Sequence, residues 1–206
     1  MKPIIGIVLR PDKNITNKDV QLIYNNVYSA LNRCGANIIG IYNEINSTEL
    51  LSLCNGFILQ GGNESTEFDY KLIKYCYDYN IPLLGICLGM QTIGEFFGGK
   101  LIKLQNNNHN IIDNSIFHSI TIYKNTRLFE ILNEYNINVN SRHIYELKGT
   151  NLTISARSDD GVIEAIEDSN KSFFIGVEWH PEDIIELDKN NLKIFKDFVQ
   201  ICNKKS

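Results

Sequence analysis

A chain of 206 residues with 43% hydrophobic side chains can build one sizeable core and is short for two independent ones. Its formal charge of -4, from 24 acidic and 20 basic residues mixed along the chain, leaves no basic stripe for nucleic acid, and no stretch approaches the roughly 20 apolar residues of a membrane span. Five cysteines (Cys34, Cys54, Cys76, Cys87 and Cys202) at irregular spacings form no C-x-x-C pair, so neither a cysteine-based zinc motif nor a disulfide framework is expected, and a reducing, cytoplasmic setting fits.

The opening "MKPIIGIVLRPDK" has a short apolar run and no small-residue cleavage site, so no leader is expected. "IIGIVL" (4–9) reads as a buried strand. The spacing of Val20, Ile23, Val27 and Leu31 predicts a helix over 18–35 that stops at Gly35. "NIIGIY" (37–42) is a second strand. A short helix follows near "NSTELLSL", with Asn46 and Glu49 at capping-box spacing, and "GFILQ" (56–60) is a third strand. The stretch 66–80 reads as a helix, and "IPLLGIC" (81–87) as a fourth strand. Strands alternating with helices imply right-handed crossovers and a mainly parallel sheet covered on both faces.

The second half changes character. "FHSITIY", "INVN", "LTISARS" and "GVIEAIED" are short alternating strands with turn signals such as Asp160-Gly161, expected to extend the sheet in antiparallel or mixed fashion. "FFIGVEW" returns to a continuous apolar strand, and residues 190–204 close the chain as an amphipathic helix. "QNNNHN" (105–110) reads as a polar surface loop, with His109 and His118 as structural or surface residues. The expected architecture is an α/β domain spanning 1–206.

In an open parallel sheet, ligands bind beyond the carboxyl ends of the strands, and Cys87 sits at such an end. Gly85-Ile86-Cys87-Leu88-Gly89 has the form of a nucleophile elbow, a tight strand-to-helix turn whose small flanking residues avoid collisions. A helix starting just after Cys87 would aim its N-terminal dipole at the sulfur; the same segment is compatible with a buried structural cysteine. "QGGN" (60–63) follows another strand, and the backbone N–H of Gly61 or Gly62, with that of Leu88, could form an oxyanion hole. In "VEWHPED" (177–183), His180 follows an apolar strand and Glu182 lies two residues on, which matches the logic of nucleophile, base and orienter.

"GICLGMQ" together with "GVEWHPE" resembles the class I glutamine amidotransferase family, and the resemblance covers almost the whole chain. It implies a flavodoxin-like fold, Cys87 as nucleophile, His180 as general base and acid, Glu182 as its orienting partner, and Gln91 as a holder of the glutamyl group. "KPIIGIVLR", "FHSITIYKNTRLFEIL", "VNSRH" and "SARSDDGVIEAIE" look like its γ-glutamyl-hydrolase branch, peptidase family C26. That branch usually has Arg where this chain has Leu88 and His-Gln where it has Ile144-Tyr145. Within "NSRH", Ser141, Arg142 and His143 are further candidates to line the site, and the Arg fork suits a leaving amine that carries an anionic or nucleotide-linked group. "FILQGGNESTEFD" resembles the glutaminase part of GMP synthetases instead. The resemblance therefore implies a hydrolase of small γ-glutamyl amides that needs no metal or organic cofactor, in preference to a glutaminase delivering ammonia to a separate synthetase. A binding or redox-regulatory protein on the same scaffold is the non-enzyme alternative.

Overall fold

The computed structural model describes residues 1–42, 48–105, 108–111 and 118–204. Among them, the main sheet has nine strands. Five run parallel in the spatial order Asn37–Ile41, Ile4–Val8, Gly56–Leu59, Leu83–Ile86 and Phe174–Val177. The remaining four, Ile163–Glu167, Thr153–Ser158, His118–Ile122 and Asn136–Val139, extend the sheet antiparallel. This is the expected α/β sheet with a parallel core and an antiparallel extension. The parallel strands are apolar almost throughout because helices cover both of their faces. Val27 and Leu31 of the helix Asn25–Arg33 and Phe195 and Phe198 of the helix Asn190–Asn203 fill one layer. Leu72 and Ile73 of the helix Glu67–Asp78 and Met90 and Ile93 of the helix Leu88–Phe96 fill the other.

The helix expected over 18–35 is shorter than its apolar spacing implies. Asp19–Leu22 is instead a strand paired with Arg10–Lys13, and the helix begins at Asn25. Turn chemistry decides this. Asn14 Oδ1 accepts the backbone N–H groups of Thr16 and Lys18 at 3.0 Å each, and Asn17 adopts φ 58°, so the chain reverses before a helix can start. Three elements lack a strong sequence signal: the paired strands Lys100–Lys103 and Tyr145–Lys148, and the helix Arg127–Leu132, capped by Thr126 Oγ1 accepting the Phe129 N–H at 3.2 Å. Thr48–Ser52 is helical, while Asn46 of the expected capping box lies outside the described residues, as do 106–107 of the polar run. His109, read as a structural or surface residue, is 2% exposed and so structural. Among the described residues, no helix is long and apolar enough to cross a membrane.

Candidate active site

The strand Leu83–Ile86 ends at Cys87, whose φ of 51° and ψ of -107° place it in a region that L-residues rarely occupy. The next residue already begins the helix Leu88–Phe96. The Cys87 N–H donates to Val177 O at 2.8 Å, and Cys87 O accepts the Gln91 N–H at 2.9 Å, so both ends of the turn are pinned. The flanking glycines answer a packing demand: a Cβ on Gly89 would lie 2.0 Å from Leu59 O, and one on Gly85 would lie 2.7 Å from the Gly89 carbonyl carbon. Strand and helix approach so closely that neither position accepts a side chain.

His180 leaves the end of the neighbouring strand Phe174–Val177, and Glu182 sits in the short turn Pro181–Asp183 that follows. Glu182 Oε1 is 2.9 Å from His180 Nδ1, and the Cys87 side chain is near enough to the imidazole to act on its charge. Burial alone would push the imidazole's pKa down, but the Glu182 carboxylate and the Cys87 sulfur outweigh it and raise the pKa to about 10. His180 therefore holds its proton at neutral pH, and an imidazolium is the charge partner that a thiolate nucleophile uses. The backbone of His180 is held as firmly as its ring. Asn140 Oδ1 accepts its N–H at 2.9 Å, and Asn140 Nδ2 donates to its carbonyl at 3.1 Å.

The Gly61-Gly62 loop faces this pair, so that a Cβ on Gly61 would lie 2.9 Å from His180 Cε1 and 3.8 Å from Cys87 Cβ. The loop is braced from behind. Buried Arg10 donates from Nε and Nη2 to Gln60 O at 3.1 and 3.0 Å, and from Nη1 to both carboxylate oxygens of buried Asp69 at 2.9 and 2.8 Å. The Gln60 side chain donates to Val8 O and Leu22 O, at 2.8 and 3.0 Å, and accepts the Tyr24 N–H at 3.0 Å. Sequence reasoning missed Arg10, Asp69 and Asn140. Arg10 sits in what reads as the tail of a strand, and Asp69 in a helix cap, whose Oδ2 indeed accepts the Thr66 N–H at 2.8 Å. Asn140 belongs to the quoted "VNSRH" segment, which was the available signal.

Cys87, Gly61, Gly62, His180 and Glu182 open onto one cavity of about 390 Å³, with Arg142 at its mouth. Arg142 pairs with Asp183, and Asp183 Oδ1 also accepts the Asn26 amide at 2.6 Å. The side chains of four other expected site residues do not line this cavity. Leu88 is buried under the loop, close to the position a Gly62 Cβ would take. Gln91, expected to hold the glutamyl group, donates to buried Glu178 at 2.5 Å. The Ser141 hydroxyl donates to His109 O at 2.9 Å, and His143 Nδ1 lies 2.8 Å from Tyr145 O, so both side chains face a buried polar cluster behind the site.

The peptidase C26 family profile matches residues 63–182, more than half of the chain. The chain belongs to the class I glutamine amidotransferase-like family. Within this family it is 27% identical to a glutamine amidotransferase-like protein of Rickettsia prowazekii, over 97% of each chain. It is 28% identical to a glutamine-hydrolysing GMP synthase component of Pyrococcus furiosus, over 72% of this chain and 76% of that one. Among solved structures it resembles the glutaminase domain of Trypanosoma brucei CTPS, with a TM-score of 0.73 at 19% identity, covering 99% of this chain and 95% of the other. That likeness shows the amidotransferase fold. As a family member the chain is a glutamine amidotransferase-like hydrolase, built on the α/β sheet described above.

Proposed function

We propose that this amidotransferase-like chain acts alone on γ-glutamyl amides. The observation that supports this reading is the Arg10 brace: the loop that would present the oxyanion N–H groups is tied to Gln60 and Asp69 within the same chain. No partner is required to set it. Cys87 sulfur attacks the γ-carbonyl carbon, and the displaced electron pair settles on oxygen, held by the backbone N–H of Gly61 or Gly62 and of Leu88. Collapse breaks the C–N bond as His180 gives its proton to the leaving amine. Neutral His180 then takes a proton from water, which attacks the thioester carbon and releases glutamate and the free thiol.

The leaving amine projects past Arg142 and Asp183. An anionic group on it would compete with Asp183 for the Arg142 guanidinium, so the mouth fits a neutral or cationic amine better than a phosphate. The decisive assay measures glutamate release from a panel of γ-glutamyl amides and from glutamine. Turnover of an amide well above glutamine supports the proposal. The second reading is a glutaminase that serves a separate synthetase, favoured by the likeness to the Pyrococcus GMP synthase component. It takes over if glutamine is the best substrate and its hydrolysis rises about a hundredfold, the contribution of one oxyanion donor, only when a synthetase from the same cell is added.

A further inference from the structure

Behind the catalytic cavity, three imidazoles converge on one carboxylate. Glu164, on the strand Ile163–Glu167, is fully buried, and its Oε1 lies 3.2 Å from His118 Nε2, 3.4 Å from His109 Nδ1 and 3.8 Å from His143 Nε2. The three rings crowd together, with His109 centred 4.7 Å from His118 and 4.8 Å from His143. These contacts are not hydrogen bonds. Among the described residues, both Glu164 oxygens, His118 Nε2 and His143 Nε2 are buried without a hydrogen-bond partner, although His118 Nε2 is near enough to Glu164 to make one. Native proteins rarely leave a buried carboxylate without an aligned donor, and in the metal-free chain its charge is balanced by the imidazoles at ion-pair distance.

We propose that His109 Nδ1, His118 Nε2 and Glu164 Oε1 bind a zinc-type divalent metal ion, with His143 Nε2 facing the fourth position. Nitrogen and oxygen ligands sit about 2.0–2.1 Å from Zn²⁺ in a tetrahedron, whose edge is then about 3.3 Å. The 3.2 and 3.4 Å separations match that edge, and the misdirected N–O contacts are what lone pairs aimed at a shared centre produce. The outer contacts fit as well. His109 Nε2 is 3.0 Å from Asp160 Oδ2, and His143 Nδ1 is 2.8 Å from Tyr145 O, so each ring can give its other N–H away and keep the inward nitrogen bare. The Ser141 hydroxyl gives its single proton to His109 O at 2.9 Å, so its oxygen accepts from His109 Nδ1 at 3.3 Å in the metal-free chain, and the ion displaces that Nδ1 proton on binding. His118, 20% exposed at its side chain, marks the way in.

The ligands come from three separate segments, which is why no short metal motif announces them in the sequence. None lines the catalytic cavity, so the ion is structural. It ties the antiparallel extension to the 140–143 segment, which holds His180 through Asn140, and the proposal stands whatever the substrate proves to be.

The test uses chelator-stripped full-length protein carrying Cys87→Ala, so that the catalytic thiol cannot hold the metal, titrated with Zn²⁺ and with Co²⁺. Expected are one ion per chain, the visible spectrum of tetrahedral Co²⁺, a higher melting temperature with Zn²⁺, and an anomalous diffraction peak among His109, His118 and Glu164. His118→Ala should abolish stoichiometric binding. Should that variant not fold, Asp160→Asn decides, because it alters a half-exposed outer contact, can keep the Ser158 hydroxyl as a donor to its Oδ1, and should weaken Zn²⁺ binding by about 10- to 100-fold. Absence of stoichiometric binding, a peak at His180 and Glu182, or unchanged affinity in Asp160→Asn overturns the proposal.

Discussion

Asn140 holds His180 by both ends of its peptide, accepting from the N–H and donating to the carbonyl. This fixes the direction in which the imidazole leaves the sheet before any side-chain contact is made. Asn140→Ala should therefore lower kcat by about a hundredfold with little change in KM, since a displacement of about 1 Å at a reacting group has that effect. Stability should fall by only about 1–3 kcal/mol, the loss of two ordinary hydrogen bonds. Asn140→Asp keeps the acceptor but turns a carboxylate oxygen towards a carbonyl, and should also be slow. A wild-type kcat in either variant removes Asn140 from the positioning of His180.

The Arg10–Asp69 pair makes a different prediction, because its role in stability and its role in activity can be separated. Arg10→Met leaves Asp69 buried without its charge partner and should cost about 3–5 kcal/mol. Adding Asp69→Asn removes the stranded charge and should recover much of that loss in denaturant unfolding. Turnover should stay low in the double variant, since the two N–H groups that hold Gln60 O are still missing. If activity returns along with stability, the brace has no part in forming the oxyanion site.

The proposed triad could be picked out because its members follow strand ends in compact patterns: small residues flank Cys87, and Pro181 separates His180 from Glu182. The parallel half of the fold was legible for a similar reason, as its apolar runs alternate with helical spacing. Residues whose role depends on distant partners were not. Arg10 meets Gln60 and Asp69 across 50 and 59 positions, and Asn140 reaches His180 across 40. Gln91 shows the converse, a residue close in sequence to the nucleophile whose side chain is engaged elsewhere. It lies on the helix that starts at the nucleophile, yet its amide points to Glu178, just past the strand Phe174–Val177 that leads to His180. The hairpin at 10–22 was lost to a helical spacing that the Asn14–Asn17 turn overrides.

The backbone at Cys87 is strained, and this can be measured apart from chemistry. Replacing Gly by Ala ordinarily stabilises a chain, by about 0.4–1 kcal/mol, by restricting the unfolded state. At φ 51° and ψ -107° the order should reverse, with Cys87→Gly more stable than Cys87→Ala by about 1–2 kcal/mol. Both variants should be inactive. Equal unfolding midpoints for the two would show that the turn carries no strain.

The proton on His180 governs the alkaline side of the rate profile. Its pKa is about 10: burial pulls it down, while Glu182 and Cys87 pull it further up from an ordinary value of 6.5. A histidine whose folded pKa is raised contributes stability that is complete below about pH 6.5 and disappears as the pH climbs through about 10. The same proton is the one delivered to the leaving amine. With an alkylamine leaving group, kcat/KM should therefore stay level above neutrality and fall near pH 10. Glu182→Gln keeps an acceptor for the ring but removes the carboxylate charge, so the alkaline limb should move towards neutrality and the plateau should drop. With an activated anilide, which departs without full protonation, the limb should flatten in the wild type. An alkaline limb unmoved by Glu182→Gln would falsify the assignment of that carboxylate as the partner that keeps His180 protonated.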